Sequence, residues 1–558
     1  SDDGRNAVVM VRAIDNKDRW IAGVDLAGAT LQPRHRLTDP AWINWGFNEF
    51  GWLPDHQTLW FLSEQSGYSH LYTQRGADKP RQRTSGKWEV SSPVSTADGN
   101  GFLFLCNRAS PGKYEICGID LSNDGVRELT DLGGVEQFTL SPDGTQLLVN
   151  HSASYLPMQL AVVPSTGGTP KRLTDTRSPA FKAREWIQPE IVQVPSQHGA
   201  GTVWGKYYGP KTFEPGKKYP VVMFVHGAGY LQNVHGRYPA YFREQMFHNL
   251  LVQRGYVVLD LDYRGSEGYG RDWRTAIYRN MGHPELEDYK DGLDWLVANK
   301  QGDRDRAGIY GGSYGGFMTF MALFREPGLF KAGAALRPVV DWTQYNHEYT
   351  SNILNTPELD PEAYAKSSPI EYAAGLQDHL LISHGMLDDN VFFRDSVVLT
   401  QKLIELQKDN WEIAPYPLER HAYTRADSWL DQYKRVDATH RSNLESHRLS
   451  GTPSHEHAST PAAQRSPQIS CSAFRRRARQ DLDPAGRAGR GVCDRTVGGA
   501  DARAGRLPGA RIRHRQRRIA ATTFDAALAA GPPGCDGVAD AGVLGAVPGG
   551  VLGRVETQ

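Results

Sequence analysis

The sequence lacks several features that would assign it to a broad class of protein. No uninterrupted apolar run reaches the roughly 18 residues that a membrane-spanning helix needs, so we expect no membrane span. The opening segment, SDDGRNAVVM, lacks the basic and then apolar pattern of a secretion signal and resembles the middle of a domain. Cysteine is scarce and shows neither CxxC nor metal-ligand spacing, so we expect free thiols. The cysteines are Cys106, Cys117, Cys471, Cys493 and Cys535.

Net charge is also lacking, because 63 Lys and Arg balance 63 Asp and Glu, but the two signs are unevenly distributed. From Arg435 to the end there are 19 Arg, 11 acidic residues, and no Lys, Trp or Tyr. This Gly-, Ala-, Pro- and Arg-rich stretch shows no helical or strand period. One interpretation is a basic arm for an acidic partner such as nucleic acid. We favour a disordered extension or a shifted reading frame over 437–558, and we expect no nucleic-acid binding.

A chain of 558 residues exceeds one hydrophobic core, and its first third carries an internal repeat. Similar segments end at Thr38, Thr84, Thr130 and Thr174, with spacings of 46, 46 and 44 residues. Gly and Asp turns separate short apolar strands within each unit, which is typical of β-propeller blades. We therefore predict a partial β-propeller of about four blades over 1–177. A solitary β-sandwich is the alternative.

After residue 177 the pattern changes to strands that alternate with helices. Strand candidates such as VVMFVHG and HLLISHG are separated by helical patterns such as FRDSVVLTQKLIELQKD. This alternation predicts an α/β domain with a mostly parallel sheet over 178–436. Functional side chains in such sheets gather at the carboxyl ends of the strands.

The stretch IYGGSYGGFM, at the carboxyl end of one predicted strand, predicts a nucleophilic serine. Gly311, Ser313 and Gly315 form a GxSxG pattern between a predicted strand and a predicted helix. A sharp turn of this kind exposes the serine hydroxyl, and the backbone N–H of Tyr314 would stabilise an oxyanion. The glycine turn after an earlier strand, VHGAG, would supply a second donor near Gly227.

A serine hydroxyl needs a base and an orienting acid, which follow it in the chain order Ser, Asp, His. Asp388 and Asp389 both follow a later strand, and we favour Asp388 as the acid. His421 lies after the last predicted strand and is the candidate base. His384 lies in a strand-end turn, where a structural role fits better.

With these residues in view, the chain resembles the prolyl oligopeptidase family of serine peptidases, in its dipeptidyl peptidase IV-like branch. The resemblance rests on GGSYGGFMT, HGMLDDNV and LDYRGSEGYGRDW, and on the interval of 33 residues between Asp388 and His421. It implies a β-propeller joined to a C-terminal α/β-hydrolase domain, with no cofactor or metal. It also implies an apolar substrate pocket and, at Asn390, a hydrogen bond to a substrate carbonyl. The pocket residues are Tyr314, Val339, Trp342, Tyr345, Tyr349 and Val391.

Some positions depart from the pattern of that branch. His226 stands where the branch often has an oxyanion tyrosine, which favours backbone donors here. Arg420 and Ala422 replace the usual acidic residue and glycine on either side of His421. No Glu-Glu pair occurs in the chain, although dipeptidyl peptidases bind the substrate amine with such a pair. Either the pair belongs to propeller blades that are missing from this sequence, or the enzyme cleaves a different kind of substrate.

The expected function is a serine peptidase that acts on short peptides after proline or alanine. An acylaminoacyl peptidase, an endo-oligopeptidase and an esterase could use the same triad, and an inert propeller-based binding protein is the non-enzymatic alternative. Peptides are the expected partners, and a homodimer is compatible with the resemblance. The compartment would be periplasmic or extracellular if the chain is like exported bacterial relatives, and cytoplasmic otherwise.

Overall fold

The computed structural model describes residues 1, 4–44 and 46–445, and it begins with four antiparallel sheets built from consecutive strands. The first sheet has three strands and the next three have four each. The strands are β1 (Ala7–Arg12), β2 (Asp18–Asp25), β3 (Thr30–Thr38), β4 (Phe50–Trp52), β5 (Thr58–Ser63), β6 (His70–Arg75), β7 (Arg81–Gln82), β8 (Val90–Ser95), β9 (Gly101–Ser110), β10 (Lys113–Asp120), β11 (Gly125–Glu128), β12 (Val135–Leu140), β13 (Gln146–Ala153), β14 (Leu156–Pro164) and β15 (Lys171–Arg172).

The alternation of side chains along β9 shows how these sheets stack as blades. Phe102 and Phe104 pack with the preceding sheet, whereas Leu103 and Leu105 pack with the following sheet. Successive side chains of a strand point to opposite faces, so a blade buries both faces only between neighbours. This packing confirms the predicted propeller architecture.

The expectation of free thiols is wrong for Cys106 and Cys117, which form a disulfide with their Cα atoms 6.0 Å apart. In the β9–β10 pair, Cys106 lies opposite Glu115 and Cys117 lies opposite Phe104. The two cysteines therefore share one face at diagonal positions, which no CxxC spacing reveals. The other three cysteines lie outside the described residues.

The second half of the described chain forms one sheet of eight strands in the order β16-β17-β19-β18-β20-β21-β22-β23. β17 pairs antiparallel with β16 and β19, and the remaining neighbours are parallel. The strands are β16 (Glu190–Pro195), β17 (Thr202–Tyr208), β18 (Tyr219–Val225), β19 (Val257–Asp262), β20 (Gly302–Gly312), β21 (Ala332–Leu336), β22 (His379–Gly385) and β23 (Trp411–Tyr416).

Helices cover both faces of this sheet, which confirms the predicted α/β class. Phe320 and Leu323 of one layer pack on one face, and Phe247 and Leu251 of the other layer pack on the opposite face. The helices of the described residues are α1 (Pro179–Lys182), α2 (Phe242–Gln253), α3 (Arg271–Thr275), α4 (Pro284–Asn299), α5 (Tyr314–Arg325), α6 (His347–Leu354), α7 (Pro361–Ser367), α8 (Arg394–Glu405) and α9 (Ala426–Leu444).

Helix α9 crosses the boundary that the sequence places at residue 436. Val436, His440 and Leu444 lie four residues apart and are fully buried, so they form one packed face of the helix. The His440 ring packs against Gly308 of β20. The predicted start of the tail therefore falls inside a packed helix, and residues 446–558 lie outside the described residues.

Two kinds of feature are absent from the part of the chain that the structure describes. No helix there combines the length and apolar character needed to cross a membrane. No group of three or more His, Cys, Asp or Glu side chains there is arranged to hold a metal ion.

The blades contact the α/β region through a buried ion pair. Arg274 of α3 donates to Glu64 at 2.9 Å and to the Trp42 carbonyl at 3.0 Å, and both charged side chains are 4% exposed. Gly236 N also donates to Gly112 O at 2.9 Å, where the two backbones pass closely. These contacts fix the blades against the loops that follow β18 and β19.

Candidate active site

Ser313 occupies a strained turn between β20 and α5. Its φ of 59° and ψ of −117° lie in a region that residues other than glycine rarely adopt. Such a conformation costs on the order of 1–3 kcal/mol, and the surrounding packing must hold it. A Cβ atom on either Gly311 or Gly315 would overlap the Val225 carbonyl oxygen. Both glycines of the GxSxG pattern are therefore required by close backbone contact with β18.

The turn presents two groups for chemistry on a carbonyl substrate. The Ser313 side chain is partly exposed, and its hydroxyl has no hydrogen-bond partner among the described residues. The Tyr314 N–H is at the first position of α5, where a helix leaves its N–H groups without intrahelical acceptors. The helix N-terminus also favours negative charge at this point.

Asp388 and His421 meet at the ends of the neighbouring strands β22 and β23. His421 Nδ1 lies 2.8 Å from Asp388 Oδ2. The second carboxylate oxygen accepts the N–H groups of Asn390 and Val391, both at 2.9 Å. Burial raises the pKa of Asp388, but hydrogen bonds from His384 and His421 outweigh burial and hold that pKa below its usual value. The carboxylate is therefore charged and fixed beside the imidazole.

His384 supports the same carboxylate from inside the sheet. Its Nε2 lies 3.2 Å from Asp388 Oδ2 and 2.9 Å from Val391 O, so this nitrogen faces two acceptors and carries the proton. Its Nδ1 lies 2.7 Å from Ser396 Oγ. His384 is thus a positioning residue for Asp388. Asp389 points elsewhere and forms an exposed ion pair with Arg420 at 2.6 Å.

His421 is poised to act as a base near neutral pH. Burial lowers its pKa, the hydrogen bond to Asp388 raises it, and the charge of Arg337 lowers it, with a net shift below the ordinary value. Arg337 follows β21, and a Cβ atom on Gly312 would lie 3.1 Å from its Cζ, so its guanidinium lies next to the serine turn. No hydrogen bond joins Ser313 to His421 within the described residues, and such bonds are often long without substrate.

The predicted aromatic residues form one cluster beside the serine turn. The Trp342 ring centroid lies 5.7 Å from that of Tyr314, 5.5 Å from that of Tyr345 and 6.1 Å from that of Tyr349. Val339 and Val391 are buried with them. Asn390 lies at the rim, where its side-chain oxygen accepts the Tyr345 hydroxyl at 2.8 Å.

Additional residues support this cluster that the sequence patterns did not single out. Tyr263 stacks on Tyr314 with ring centroids 5.9 Å apart, and Tyr230 lies 5.6 Å from Tyr349. Glu285 accepts a hydrogen bond from the Tyr314 hydroxyl, and burial raises the pKa of this carboxyl to about 7. The sequence signals for these residues were the position of Tyr230 directly after VHGAG and that of Tyr263 within LDYRGSEGYGRDW.

The loop after β18 differs from the arrangement that the sequence predicts for it. The His226 ring is fully buried and stacks on Tyr263, with its Nε2 3.1 Å from Ser266 Oγ. Burial lowers the pKa of His226 to about 4, so the imidazole is neutral. The Gly227 N–H donates to the Tyr241 hydroxyl at 2.7 Å. The predicted second oxyanion donor is therefore already engaged with a side chain.

Comparison with known proteins yields matches over both halves of the described chain. Residues 242–443 match the Prolyl oligopeptidase family, and residues 1–158 match the Dipeptidyl peptidase IV (DPP IV) N-terminal region. The structure resembles the crystal structure of Porphyromonas gingivalis dipeptidyl peptidase 4 with a TM-score of 0.70 and 25% identity. That similarity covers 79% of this chain and 62% of the other chain.

Curated relatives include proteins described as probable dipeptidyl-aminopeptidase B. The protein from Talaromyces marneffei is 30% identical over 386 residues, which are 65% of this chain and 42% of the relative. The protein from Aspergillus oryzae is 29% identical over 419 residues, which are 68% of this chain and 46% of the relative. The chain thus spans less than half the length of these relatives.

The charge of Arg337, together with the larger effect of burial, should lower the pH at which His421 loses its proton. Because a base must be neutral to act, Arg337→Met should raise the His421 pKa and move the acid limb of kcat/KM to higher pH, by up to about one unit. The pH profile of p-nitrophenyl acetate hydrolysis measures this limb. Arg337→Lys keeps the charge and should keep the wild-type midpoint, as should Arg306→Met. An unchanged midpoint in Arg337→Met would contradict this role.

Proposed function

The chain belongs to the prolyl oligopeptidase family, and from this premise we propose that it is a serine peptidase that cleaves short peptides after proline or alanine. The observation that supports the proposal is that Ser313, Asp388 and His421 each follow the carboxyl end of a strand of one sheet, with His421 Nδ1 2.8 Å from Asp388 Oδ2. These residues come from distant parts of the sequence. Strand ends in α/β sheets are where catalytic groups collect. The similarity to proteins described as probable dipeptidyl-aminopeptidase B supports dipeptidyl-peptidase chemistry.

The geometry supports an acyl-enzyme mechanism. Ser313 Oγ attacks the scissile carbonyl carbon while His421 Nε2 takes the hydroxyl proton, and Asp388 holds the Nδ1–H of the imidazole. The carbonyl π electrons move to oxygen, and the Tyr314 N–H stabilises that negative charge. Collapse of the intermediate breaks the C–N bond, and His421 gives its proton to the leaving amine. Water, activated by the same imidazole, then hydrolyses the Ser313 ester.

The aromatic cluster supports a preference for a small, flat residue before the scissile bond. Aromatic walls offer apolar area with little loss of side-chain entropy, which suits a pyrrolidine ring or an alanine methyl group. Tyr345 and Tyr349 are partly exposed and can contact substrate, and they pack against Trp342, which is 1% exposed and holds them in place. Asn390, at the rim, would donate to a substrate carbonyl oxygen.

The alternative is a peptidase or esterase that accepts a blocked substrate N-terminus through the same triad. This sequence has no Glu-Glu pair to bind a substrate amine, which supports an acylaminoacyl peptidase or an endo-oligopeptidase as the alternative. A positively charged substrate amine would need carboxylate partners for selective binding. The presence or absence of an amine requirement separates the two functions.

We expect the chain to hydrolyse a Gly-Pro aryl amide with a free amine much faster than its N-acylated twin, since the relatives are named for dipeptide release. Initial rates for both substrates, with Ser313→Ala as the control, measure this preference. Ser313→Ala should lose at least about 10³-fold in kcat because the nucleophile is absent. Preferred cleavage of the blocked substrate would instead assign endopeptidase or acylaminoacyl activity. No cleavage of either substrate would contradict the peptidase proposal.

We also propose that the protein forms a homodimer through the β23 edge of the sheet. Helix α8 directly precedes this edge strand in the chain and exposes Val397 at 49%, Val398 at 39% and Ile404 at 55%. Exposed apolar side chains that cluster on one helix are typical of an interaction surface. A second copy of the same face would bury them around a two-fold axis.

Light scattering during size-exclusion chromatography should give about twice the chain mass of 62.0 kDa. The double variant Val397→Glu/Ile404→Glu should be monomeric, because it places charges in the proposed interface. Leu173→Glu, at an exposed site near the end of the blades, should leave the mass unchanged. A monomeric wild-type protein at micromolar concentration would reject the dimer.

A further inference from the structure

We propose that the Tyr241 hydroxyl, rather than the Gly227 N–H, is the second donor of the oxyanion hole. This inference rests on the proposed serine-hydrolase function and assigns a further catalytic residue to the same site. Stabilisation of a tetrahedral oxyanion needs two preorganised donors, of which the Tyr314 N–H supplies one. The loop after β18 must supply the other.

The Gly227 N–H, which the sequence suggests as the donor, and the neighbouring His226 imidazole are both directed elsewhere. The Gly227 N–H donates to Tyr241 Oη at 2.7 Å, so its hydrogen points at the tyrosine. The His226 imidazole is fully buried, with its ring nitrogens 2.9 Å from Gly227 O and 3.1 Å from Ser266 Oγ. The group that stands between this loop and the serine turn is the Tyr241 hydroxyl.

The space beside Gly227 shows how close this hydroxyl lies to the nucleophile. A methyl group on Gly227 would lie 2.5 Å from Tyr241 Oη and 3.3 Å from Ser313 Cβ. It would also lie 2.9 Å from the Gly312 carbonyl oxygen. The tyrosine hydroxyl and the serine side chain therefore line the same gap, which is about the size of one methyl group. Only glycine at position 227 leaves that gap open.

The backbone, the ring and the hydroxyl of Tyr241 are each held in position by neighbouring groups. Its backbone carbonyl accepts Gln245 N at 2.9 Å as α2 begins. Its ring packs edge-on against Phe224 of β18, with centroids 5.5 Å apart. At the other end, the Gly227 N–H fixes the hydroxyl oxygen. A donor that packing and hydrogen bonding hold in advance needs little reorganisation during the reaction.

The bond from Gly227 also suits the hydroxyl for donation. A hydroxyl has two lone pairs and one O–H, and the glycine bond uses a lone pair. Accepting that bond polarises the O–H and strengthens it as a donor. When Ser313 attacks, the carbonyl electron pair moves to oxygen, and Tyr241 donates a hydrogen bond to that oxygen while keeping its proton.

The test uses p-nitrophenyl acetate, an activated ester that reports on Ser313 acylation without requiring any peptide preference. Wild type, Tyr241→Phe and Tyr372→Phe are compared, each corrected for the Ser313→Ala background. Tyr372 is the matched control because its hydroxyl donates to the Lys366 carbonyl in the last turn of α7, in a hydrogen bond exposed to solvent. Tyr241→Phe should lower kcat by about 10²–10³-fold with KM changed less than about threefold, because the donor acts only in the transition state. Tyr372→Phe should match wild type.

A second variant separates the two candidate donors. If the Gly227 N–H were the donor, Tyr241→Phe would release that N–H and the rate would stay the same or rise, which would overturn the proposal. Gly227→Ala would push the hydroxyl from the gap and should lower kcat, and adding Tyr241→Phe to it should cause less than about a threefold further loss. Independent losses that multiply would also overturn the proposal.

Different measurements test the peptidase function and the role of Tyr241. Ester turnover through Ser313 with no cleavage of either Gly-Pro aryl amide would reject the peptidase function, while the effect of Tyr241→Phe on the ester would still decide the tyrosine. A wild-type protein without any Ser313-dependent ester turnover would overturn the assignment of Tyr241 to a working oxyanion hole.

Discussion

The close contact between the Val225 carbonyl and the turn at Ser313 is the constraint on which the site depends. Only glycine at 311 and 315 lets the turn approach β18 so closely. The turn then holds Ser313 at a positive φ, and this strain is offset by the packing of α5, whose residues from Tyr314 to Phe324 are all buried. Because the same carbonyl ends β18, the loop that follows at Gly227 is brought directly against the nucleophile.

Electrostatics in the site follow from burial together with a small number of hydrogen bonds. Asp388 is charged because His384, His421 and two backbone N–H groups outweigh its loss of water. Its lowered pKa contributes stability that is present above the unfolded pKa of about 3.9 and is lost as pH falls through the folded value. Whereas Asp388 must be charged, His421 must be neutral to act as a base. Burial and the charge of Arg337 both favour that neutral form.

Local sequence patterns predicted the architecture and the region of the site, but not contacts between distant segments. The GxSxG pattern, the strand ends and the blade repeat depend on residues close in sequence. The Cys106–Cys117 disulfide depends on the register of β9 against β10, which spacing alone does not give. Tyr241 and Arg337 belong to the site only because α2 and β21 bring them to the serine turn. The end of α9 was missed because its apolar positions continue into an Arg-rich composition.

Covalent labelling with a fluorophosphonate, followed by peptide mapping, tests the central claim that Ser313 is an activated nucleophile. We expect one adduct, on Ser313, and a large loss of labelling rate in His421→Ala because the base is removed. An unlabelled wild-type protein, or an adduct on another residue, would show that Ser313 is not an activated nucleophile. Equal labelling of wild type and His421→Ala would show that the imidazole does not activate the serine.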